Sequence, residues 1–476
     1  MPGPRCERQA GSMIDLTLGE IAEIIGGTAR VRDLDRIVNG VTTTDSREIA
    51  PGDIFVAKPG EFTDGYRFIP QAVAAGATLV IAERETDEDV DHIVVGDAVL
   101  ALGALATEVV SRVRSLGKLT VIGVTGSNGK TTTKNLLRAI LESVGPTVAP
   151  RGSYNNEVGA PTTFLQLTTD TEFLVAEMGA SHVGDIARLT AMARPDIGVV
   201  LKVGLAHAGE FGGIEHTFAA KSEMVTALDS DRVAVLNRDD PRVVEMAELT
   251  DARVRWFGLH DDAVVRASDI ATSISGTTFT LTIDSESRPV NFAVIGEHHV
   301  HNALAAAAVA YELGIDIDRI VARLETVELA ERGRMQPFTG RGITVIHDAY
   351  NASPDSMTAA LKTLALVKPE QGRTFAVLGA MSELGDETGV AHDEIGIQAV
   401  RLRIDQIIAV GPDARRIHVS AVNEGAWNDE SLHVADNDEA FELLTRMLQP
   451  GDVVLVKASN SAGLHRLAER LGEWLT

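Results

Sequence analysis

GVTGSNGKTTTK, residues 123–134, follows the strand-like run LTVI and precedes NLLRAILESVG, whose apolar residues recur on one helical face. This order of strand, glycine-rich turn and helix is typical of a phosphate-binding loop, in which backbone N–H groups at a helix N-terminus face an anion. The spelling departs from the Walker A pattern, because Val124 stands where that pattern has its first glycine. The stretch indicates either a nucleotide site of a different kind or a tight turn that happens to contain a solvated lysine.

Each residue type in the loop suits a nucleoside triphosphate. Two glycines let the backbone turn toward an anion, Lys130 adds a mobile positive charge, and a threonine hydroxyl can ligate Mg²⁺. The strand, the two glycines, the Lys-Thr-Thr run and the helix are all features of a phosphate loop, so a phosphate loop is favoured over an ordinary turn. The candidate ATP-binding residues of the loop are Gly126, Ser127, Asn128, Gly129, Lys130, Thr131 and Thr132.

Composition limits the possible functions. The 476 residues suggest about three domains. A formal net charge of −25 argues against nucleic acid as the main partner, although a small site can still be locally basic. The single cysteine, Cys6, excludes a disulfide within the chain and suits a reducing cytoplasm, and no apolar run approaches the length of a membrane span. Residues 1–12 are expected to be a disordered extension, or an over-long start with Met13 as the alternative start.

Three successive blocks show strands alternating with helices, which predicts an α/β fold. We place a small α/β domain at 13–110, a central domain with a mostly parallel sheet at 111–332, and a Rossmann-like domain at 333–476. Within the central block, GTTFTLTID has alternating exposure and is expected to form an antiparallel edge strand. The third block has no GxGxxG after its first strand, so nothing there supports dinucleotide binding.

A family resemblance rests on the loop and on four further stretches. TGSNGKTTTK resembles the ATP loop of the Mur ligase superfamily, which begins at Gly126, so Val124 is no defect; folate-polyglutamylating enzymes share this loop. The segment 43–69 is similar to the uridine-nucleotide domain of two branches. The segments 154–165, 346–361 and 378–388 resemble the branch that adds the terminal dipeptide, the MurF branch.

The resemblance implies a three-domain Mur ligase architecture with a central P-loop ATPase sheet and a specific activity. It implies an ADP-forming, ATP-dependent ligase of peptidoglycan precursor synthesis that joins D-alanyl-D-alanine to UDP-N-acetylmuramoyl-tripeptide through an acyl phosphate. We expect a cytoplasmic monomer that uses ATP and Mg²⁺ and binds neither nucleic acid nor membrane.

The resemblance also assigns residues by motif. Glu177 and His207 match the acidic residue and the histidine of the Mg²⁺ site, beside the Thr131 hydroxyl. Lys221 matches the lysine that family members carbamylate, and the carbamate would make it a further metal ligand, to a second Mg²⁺ beside the γ-phosphate. These three, with Lys130, are the implied catalytic residues. The residues implied to contact nucleotide or substrate are Asn302 for adenine, Arg334, Asp348 and Tyr350 for ATP across a domain junction, and Ser46 and Arg47 for the UDP diphosphate.

Alternatives remain open for the function and for some residues. The chain could instead add the third amino acid to UDP-N-acetylmuramoyl-dipeptide, or act as a P-loop NTPase switch; a noncatalytic binding homologue is weaker, because Lys130, Glu177, His207 and Lys221 are all present. His298, His299 and His301 could be taken for a metal site, but their spacing does not direct them together on a helix. Asn460 stands where the family often has arginine, which puts a substrate-charge role there in doubt.

Overall fold

The computed structural model describes residues 13–60, 63–204, 213–327, 333–427 and 429–476.

The first sheet has five strands in the order β2-β7-β6-β5-β4, with β2 antiparallel and the others parallel; β1 and β3 form a separate antiparallel pair. The strands are β1 Leu16–Thr17, β2 Thr28–Arg30, β3 Ile37–Val38, β4 Thr42–Thr43, β5 Ile54–Ala57, β6 Leu79–Ala82 and β7 Asp91–Val94, and the helices are α1 Leu18–Ile24, α2 Ile69–Ala74 and α3 Ala98–Ser115. Strands β5 and β6 are buried throughout, as expected for central parallel strands covered on both faces.

The long helix α3 joins the first block to the second. It begins at Asp97, whose side chain accepts from the N–H groups of Val99 and Leu100, and its buried face belongs to one apolar cluster that also contains residues of both neighbouring sheets. The boundary proposed between residues 110 and 111 falls inside this helix, and the first break in regular structure after it lies at 116–119. The first two blocks therefore share part of their core.

The central sheet has nine strands in the order β16-β15-β14-β13-β12-β11-β8-β10-β9. Its strands are β8 Thr120–Thr125, β9 Thr147–Val148, β10 Phe173–Glu177, β11 Ile197–Val200, β12 Val233–Asn237, β13 Arg253–Gly258, β14 Val265–Ser273, β15 Gly276–Ile283 and β16 Glu286–Phe292. Its described helices are α4 Lys130–Leu141, α5 Gly159–Phe164, α6 Asp185–Ala193, α7 Ile214–Thr226, α8 Pro241–Glu245, α9 Glu297–Glu312 and α10 Ile317–Thr326.

The predicted mostly parallel central sheet is confirmed, with one correction at its antiparallel end. Every pairing from β9 to β14 is parallel, whereas β14, β15 and β16 pair antiparallel. The stretch GTTFTLTID forms β15, which is antiparallel as expected but lies inside the sheet. A two-residue turn with Asp284 at φ 52° reverses the chain, so that β16 pairs with β15 and takes the edge.

The third block forms a Rossmann-like six-stranded sheet in the order β17-β18-β22-β19-β20-β21, parallel except for β17. Its strands are β17 Gln336–Gly340, β18 Ile343–His347, β19 Thr374–Leu378, β20 Gln406–Val410, β21 Ser431–Val434 and β22 Val453–Lys457, and its helices are α11 Pro354–Leu366, α12 Thr388–Arg401, α13 Arg415–Glu424, α14 Asn437–Met447 and α15 Leu464–Leu475. Two apolar clusters cover its two faces. Across the described ranges, no helix has the length and apolar character needed to cross a membrane.

Candidate active site

The phosphate loop joins β8 to α4 and depends on two glycines. Gly126 has φ 151° and Gly129, which caps α4, has φ 87°, values that L-residues with a Cβ rarely adopt. A Cβ at Gly129 would also overlap the Oδ1 atom of Asn302. The loop can therefore lie close to α9 only because this position is glycine.

Lys130 is the first residue of α4 and turns back over the loop. Its half-buried side chain donates from Nζ to the carbonyl oxygen of Gly126 at 2.7 Å. Burial lowers the pKa of Lys130, the carboxylate of Glu177 raises it, and the guanidinium of Arg334 lowers it. A cation held in this position faces the anion site formed by the loop and the N-terminus of α4.

Glu177 ends β10, next to β8, and is 1% exposed. Its Oε1 accepts from Asn155 Nδ2 at 2.7 Å and from the Thr131 hydroxyl at 3.3 Å. Its Oε2 is buried and has no hydrogen-bond partner within the described part of the chain. A buried carboxylate oxygen without a donor, next to a threonine hydroxyl and a phosphate loop, fits a hard cation such as Mg²⁺.

Lys221 lies on α7 and is 2% exposed. Burial, and after it the positive charge of Lys130, lower its pKa to about 7. A lysine in this position is about half uncharged at pH 7, far more than an exposed lysine would be. His207, the other residue assigned to this site by resemblance, lies outside the described residues.

Arg334 reaches the phosphate loop from the third domain. Its Nη2 donates to Thr131 Oγ1 at 3.1 Å, and its guanidinium carbon lies 4.3 Å from the centre of the Tyr350 ring. The Tyr350 hydroxyl donates to Ser153 Oγ at 3.1 Å, and Ser153 Oγ is also within 3.1 Å of Thr131 Oγ1. Arg334 thus contacts a hydroxyl of the central domain and an aromatic ring of its own domain.

Asp348 lies at the cavity wall, where its carboxylate is shared by groups of its own domain. Lys457 Nζ donates to Asp348 Oδ2 at 2.7 Å, and the N–H of Met335 donates to Oδ1 at 3.1 Å. Asp348 thus fixes the backbone next to Arg334, a role that the motif did not indicate. The sequence analysis did not identify Lys457 as a site residue. The available signal was a lysine at the end of the buried strand VVLVK, which ends at the same edge of the sheet as the strand that ends in His347.

Asn302 lies on α9 between two cavities. It is buried near the ring of His299 and contributes to the walls of a cavity of about 760 Å³ and of a second one of about 900 Å³. Burial lowers the pKa of His298 to about 4 and that of His299 far below its usual range, while His301 Nε2 lies 3.1 Å from Asp239 Oδ2. Among the described residues, no group of three or more His, Cys, Asp or Glu is arranged to hold a metal.

Ser46 and Arg47 lie in the first domain, outside the walls of both cavities. The Ser46 hydroxyl is buried and donates to Gln71 Oε1 at 3.1 Å. Arg47 is paired with Asp45, a hydrogen bond that raises the pKa of Arg47, and Tyr154 of the central domain is among the groups that act on its charge. The Ser46 hydroxyl is therefore held within its own domain, and Arg47 is exposed with its charge paired to Asp45.

The structure brings most of the predicted site residues to the cavity of about 760 Å³ at the junction of the second and third domains. Two residues on its walls, Ser153 and Asn155, were not singled out from the sequence, although Ser153 adjoins the segment 154–165 and Asn155 lies within it. The predicted residues that line it are Ser127, Asn128, Gly129, Lys130, Thr131, Thr132, Glu177, Asn302, Arg334, Asp348 and Tyr350.

Known proteins resemble this chain over nearly its whole length. Residues 39–119 match the Mur ligase family catalytic domain, 124–310 the Mur ligase middle domain, and 333–460 the Mur ligase glutamate ligase domain. The UDP-N-acetylmuramoyl-tripeptide–D-alanyl-D-alanine ligase of Mycobacterium tuberculosis is 44% identical, over 96% of this chain and 98% of that protein. The chain belongs to the Mur ligase family.

Solved Mur ligase structures share the arrangement of the domains. A crystal structure of MurF from Acinetobacter baumannii superposes with a TM-score of 0.87 at 31% identity, covering 97% of this chain and 99% of that one. MurF from Thermotoga maritima in complex with ADP superposes with a TM-score of 0.79 at 30% identity, covering 92% and 98%. The predicted three-domain Mur ligase architecture is confirmed.

Proposed function

We propose that this chain is an ATP-dependent, ADP-forming ligase that joins D-alanyl-D-alanine to UDP-N-acetylmuramoyl-tripeptide in peptidoglycan precursor synthesis. The observation that carries the proposal is the cavity where Lys130, Thr131 and Glu177 of the central domain meet Arg334 of the third domain. The 44% identical relative that bears this activity in its name supports the choice of substrates.

The ATP site of the proposal spans both cavities. The triphosphate lies on the N–H groups of the phosphate loop and beside Lys130, and adenine lies in the second cavity against Asn302, which lines both. Arg334 and Tyr350 contact the nucleotide from the third domain, whereas Asp348 acts by holding the backbone next to Arg334. The relative from Thermotoga maritima, whose structure contains ADP, supports a nucleotide site in this fold.

The donors near the loop fit a Mg²⁺ ion. Glu177 would hold it through Oε2, which has no hydrogen-bond partner among the described residues, together with the Thr131 hydroxyl and, by resemblance, His207. When bound, Mg²⁺ supplies positive charge to the phosphate oxygens. Asn155 keeps the Glu177 carboxylate oriented through its hydrogen bond to Oε1.

Lys221 is proposed to carry a carbamate. The ammonium first loses a proton; the neutral amine then attacks the carbon of CO₂, a C–N bond forms as one C=O π bond opens, and the nitrogen releases a second proton to solvent, so that a cation becomes an anion. A pKa of about 7 supports this step, because only the uncharged amine is a nucleophile. The resulting anion lies within electrostatic reach of Lys130, whose charge it would balance.

The proposed reaction needs no serine or cysteine nucleophile. The terminal carboxylate of the tripeptide attacks the γ-phosphorus, the bond to the β-phosphate oxygen breaks, and an acyl phosphate and ADP result. Lys130 and Arg334 stabilise the negative charge that shifts onto the phosphate oxygens. The amine of D-alanyl-D-alanine then attacks the acyl carbon and phosphate leaves, while Ser46 and Arg47 hold the UDP diphosphate.

The proposal is tested by phosphate release from ATP with each UDP-linked peptide and each amine, alone and together. Release is expected only when UDP-N-acetylmuramoyl-tripeptide and D-alanyl-D-alanine are both present. Equal turnover with UDP-N-acetylmuramoyl-dipeptide and a free diamino acid would instead assign the chain to the neighbouring branch. Turnover with no amine acceptor would favour a P-loop switch.

The remaining expectations belong to the same proposal. The units 13–110, 111–332 and 333–476 act as the UDP-substrate, ATP and third domains, and the enzyme works as a cytoplasmic monomer. Light scattering at micromolar concentration should give a mass near 50.6 kDa. A mass of twice that value at all concentrations would contradict the monomer.

A further inference from the structure

A buried lysine lies one helical turn beyond Lys130. Lys134 is on α4 and is 1% exposed, and its ammonium donates to the carbonyl oxygens of Pro150 at 2.9 Å and Gly152 at 3.2 Å. Removing an ammonium group from water costs more than burying an apolar side chain of the same length. The hydrogen bonds to these two carbonyls offset that cost, and they tie α4 to the segment that begins at Pro150.

The segment 150–156, which Lys134 holds, carries side chains of the candidate metal and phosphate site. Asn155 donates from Nδ2 to Glu177 Oε1 at 2.7 Å, and its carbonyl oxygen accepts from the N–H of Gly179 at 2.8 Å. Ser153 Oγ is hydrogen-bonded to Thr131 Oγ1 at 3.1 Å. A shift of this segment would therefore move a partner of the carboxylate and a partner of the threonine hydroxyl together.

The same segment contacts the third domain and lies within electrostatic range of charged groups of the first. Ser153 Oγ accepts from the Tyr350 hydroxyl of the third domain, and Tyr154 lies where the charges of Asp45 and Arg47 of the first domain act on it. Gly152, whose carbonyl oxygen accepts from Lys134, has φ 58°, a left-handed conformation that favours glycine. This turn directs the residues that follow Gly152 toward these contacts. The segment that Lys134 anchors therefore contacts the third domain as well as the candidate metal and phosphate site.

We propose that Lys134 is a positioning residue: by fixing the carbonyls of Pro150 and Gly152 it sets Asn155 against Glu177 and Ser153 against Thr131. Its effect on turnover rests on the proposed function. Its effect on metal-nucleotide binding does not, because that can be measured without any substrate.

The test compares Lys134→Met with Thr133→Val in the full chain. Thr133 is the neighbouring residue on α4, is fully buried, and its hydroxyl has no hydrogen-bond partner in the described residues, so the valine variant controls for a change in the core of this helix. Mn²⁺–ADP binding is measured by titration calorimetry, kcat by phosphate release, and folding by circular dichroism. In Lys134→Met the affinity for Mn²⁺–ADP and kcat are each expected to fall about 10- to 100-fold, with the KM for D-alanyl-D-alanine unchanged. Thr133→Val should match the wild type.

A double-mutant cycle with Asn155→Ala separates positioning from general damage. If Lys134 acts through Asn155, the double variant should bind Mn²⁺–ADP about as weakly as the weaker single variant, because interacting sites are not additive. The proposal is overturned if the losses of binding free energy in the two single variants add fully in the double variant. It is also overturned if Lys134→Met folds and binds Mn²⁺–ADP with wild-type affinity, or if its loss of binding equals the fraction of the variant that is unfolded. Should Lys134→Met fail to fold, Lys134→Arg decides by the same measurements: a loss in the same direction supports the proposal and wild-type affinity overturns it. If the wild type does not ligate the two substrates but Lys134→Met still binds Mn²⁺–ADP more weakly than the wild type, the proposed function is refuted. The positioning role of Lys134 is then still supported.

Discussion

Replacing Glu177 by glutamine should stabilise the protein and inactivate it. The side chain is 1% exposed and Oε2 has no hydrogen-bond partner in the part of the chain that the structure describes. A buried polar atom without a partner costs about 1–3 kcal/mol, and more when it is charged. Glutamine keeps the length and the acceptor for Asn155 and removes the buried charge, but it also loses the attraction to Lys130 and leaves a neutral polar atom in place of Oε2. The unliganded variant should therefore gain about 1 kcal/mol, a rise of a few degrees in Tm.

The same substitution should remove the metal. A carboxylate contributes charge to a Mg²⁺ site that an amide lacks, and loss of one preorganised charge contact in a transition state costs about 3–4 kcal/mol, or a hundred- to thousand-fold in kcat. Thermal unfolding with and without MgADP, and phosphate release with both substrates, measure the two effects. MgADP should raise the Tm of the wild type but hardly that of Glu177→Gln.

A matched control is Glu157→Gln, which changes another carboxylate on the wall of the same cavity. This variant should keep the wild-type stabilisation by MgADP. The reasoning is refuted if Glu177→Gln lowers the Tm of the unliganded protein, or if MgADP stabilises that variant as much as it stabilises the wild type.

Three further substitutions test the remaining parts of the site. Lys130→Ala should lower kcat by about a hundred- to thousand-fold without unfolding the protein, because it removes a charge contact to the γ-phosphate; near-normal turnover would reject the phosphate-loop assignment. Lys221, with its pKa of about 7, should be about half uncharged at pH 7, so the carbamate should form above that pH and be lost below it as the amine gains a proton. Protein equilibrated with ¹³CO₂ should then show a carbamate carbon signal at pH 8 that is weaker at pH 6 and missing in Lys221→Ala. Short carboxylic acids should weakly restore the activity of Lys221→Ala. A density map of the nucleotide-bound protein with a bare ammonium at Lys221 would contradict the carbamate. Arg334→Ala should lower kcat at least about tenfold and leave the KM for the UDP-linked tripeptide near its wild-type value, since its contact is to Thr131; an unchanged kcat would show that the third domain adds nothing to the phosphate site.

The sequence by itself determined the fold class and the local frame of the site. The phosphate loop could be predicted because strand, turn and helix signals are local: β-branched residues, two glycines at positive φ, and an apolar helical face all lie within residues 119–145. The Rossmann-like third block followed from its alternating buried strands. The edge position expected for GTTFTLTID was wrong, because the two-residue turn after it adds one more strand to the sheet.

Only the tertiary structure decided which side chains meet. Arg334 and Thr131 are 203 positions apart in the chain, and Lys457 and Asp348 are 109 apart, so no periodicity or spacing could reveal either contact. The sequence could name Glu177 by resemblance, but it could not show that one of its oxygens accepts from Asn155 while the other has no hydrogen-bond partner among the residues that the structure describes. Hydrogen bonding and burial depend on which surfaces the folded domains bring together, and the low pKa of Lys221 depends on the same packing, because desolvation is its main cause.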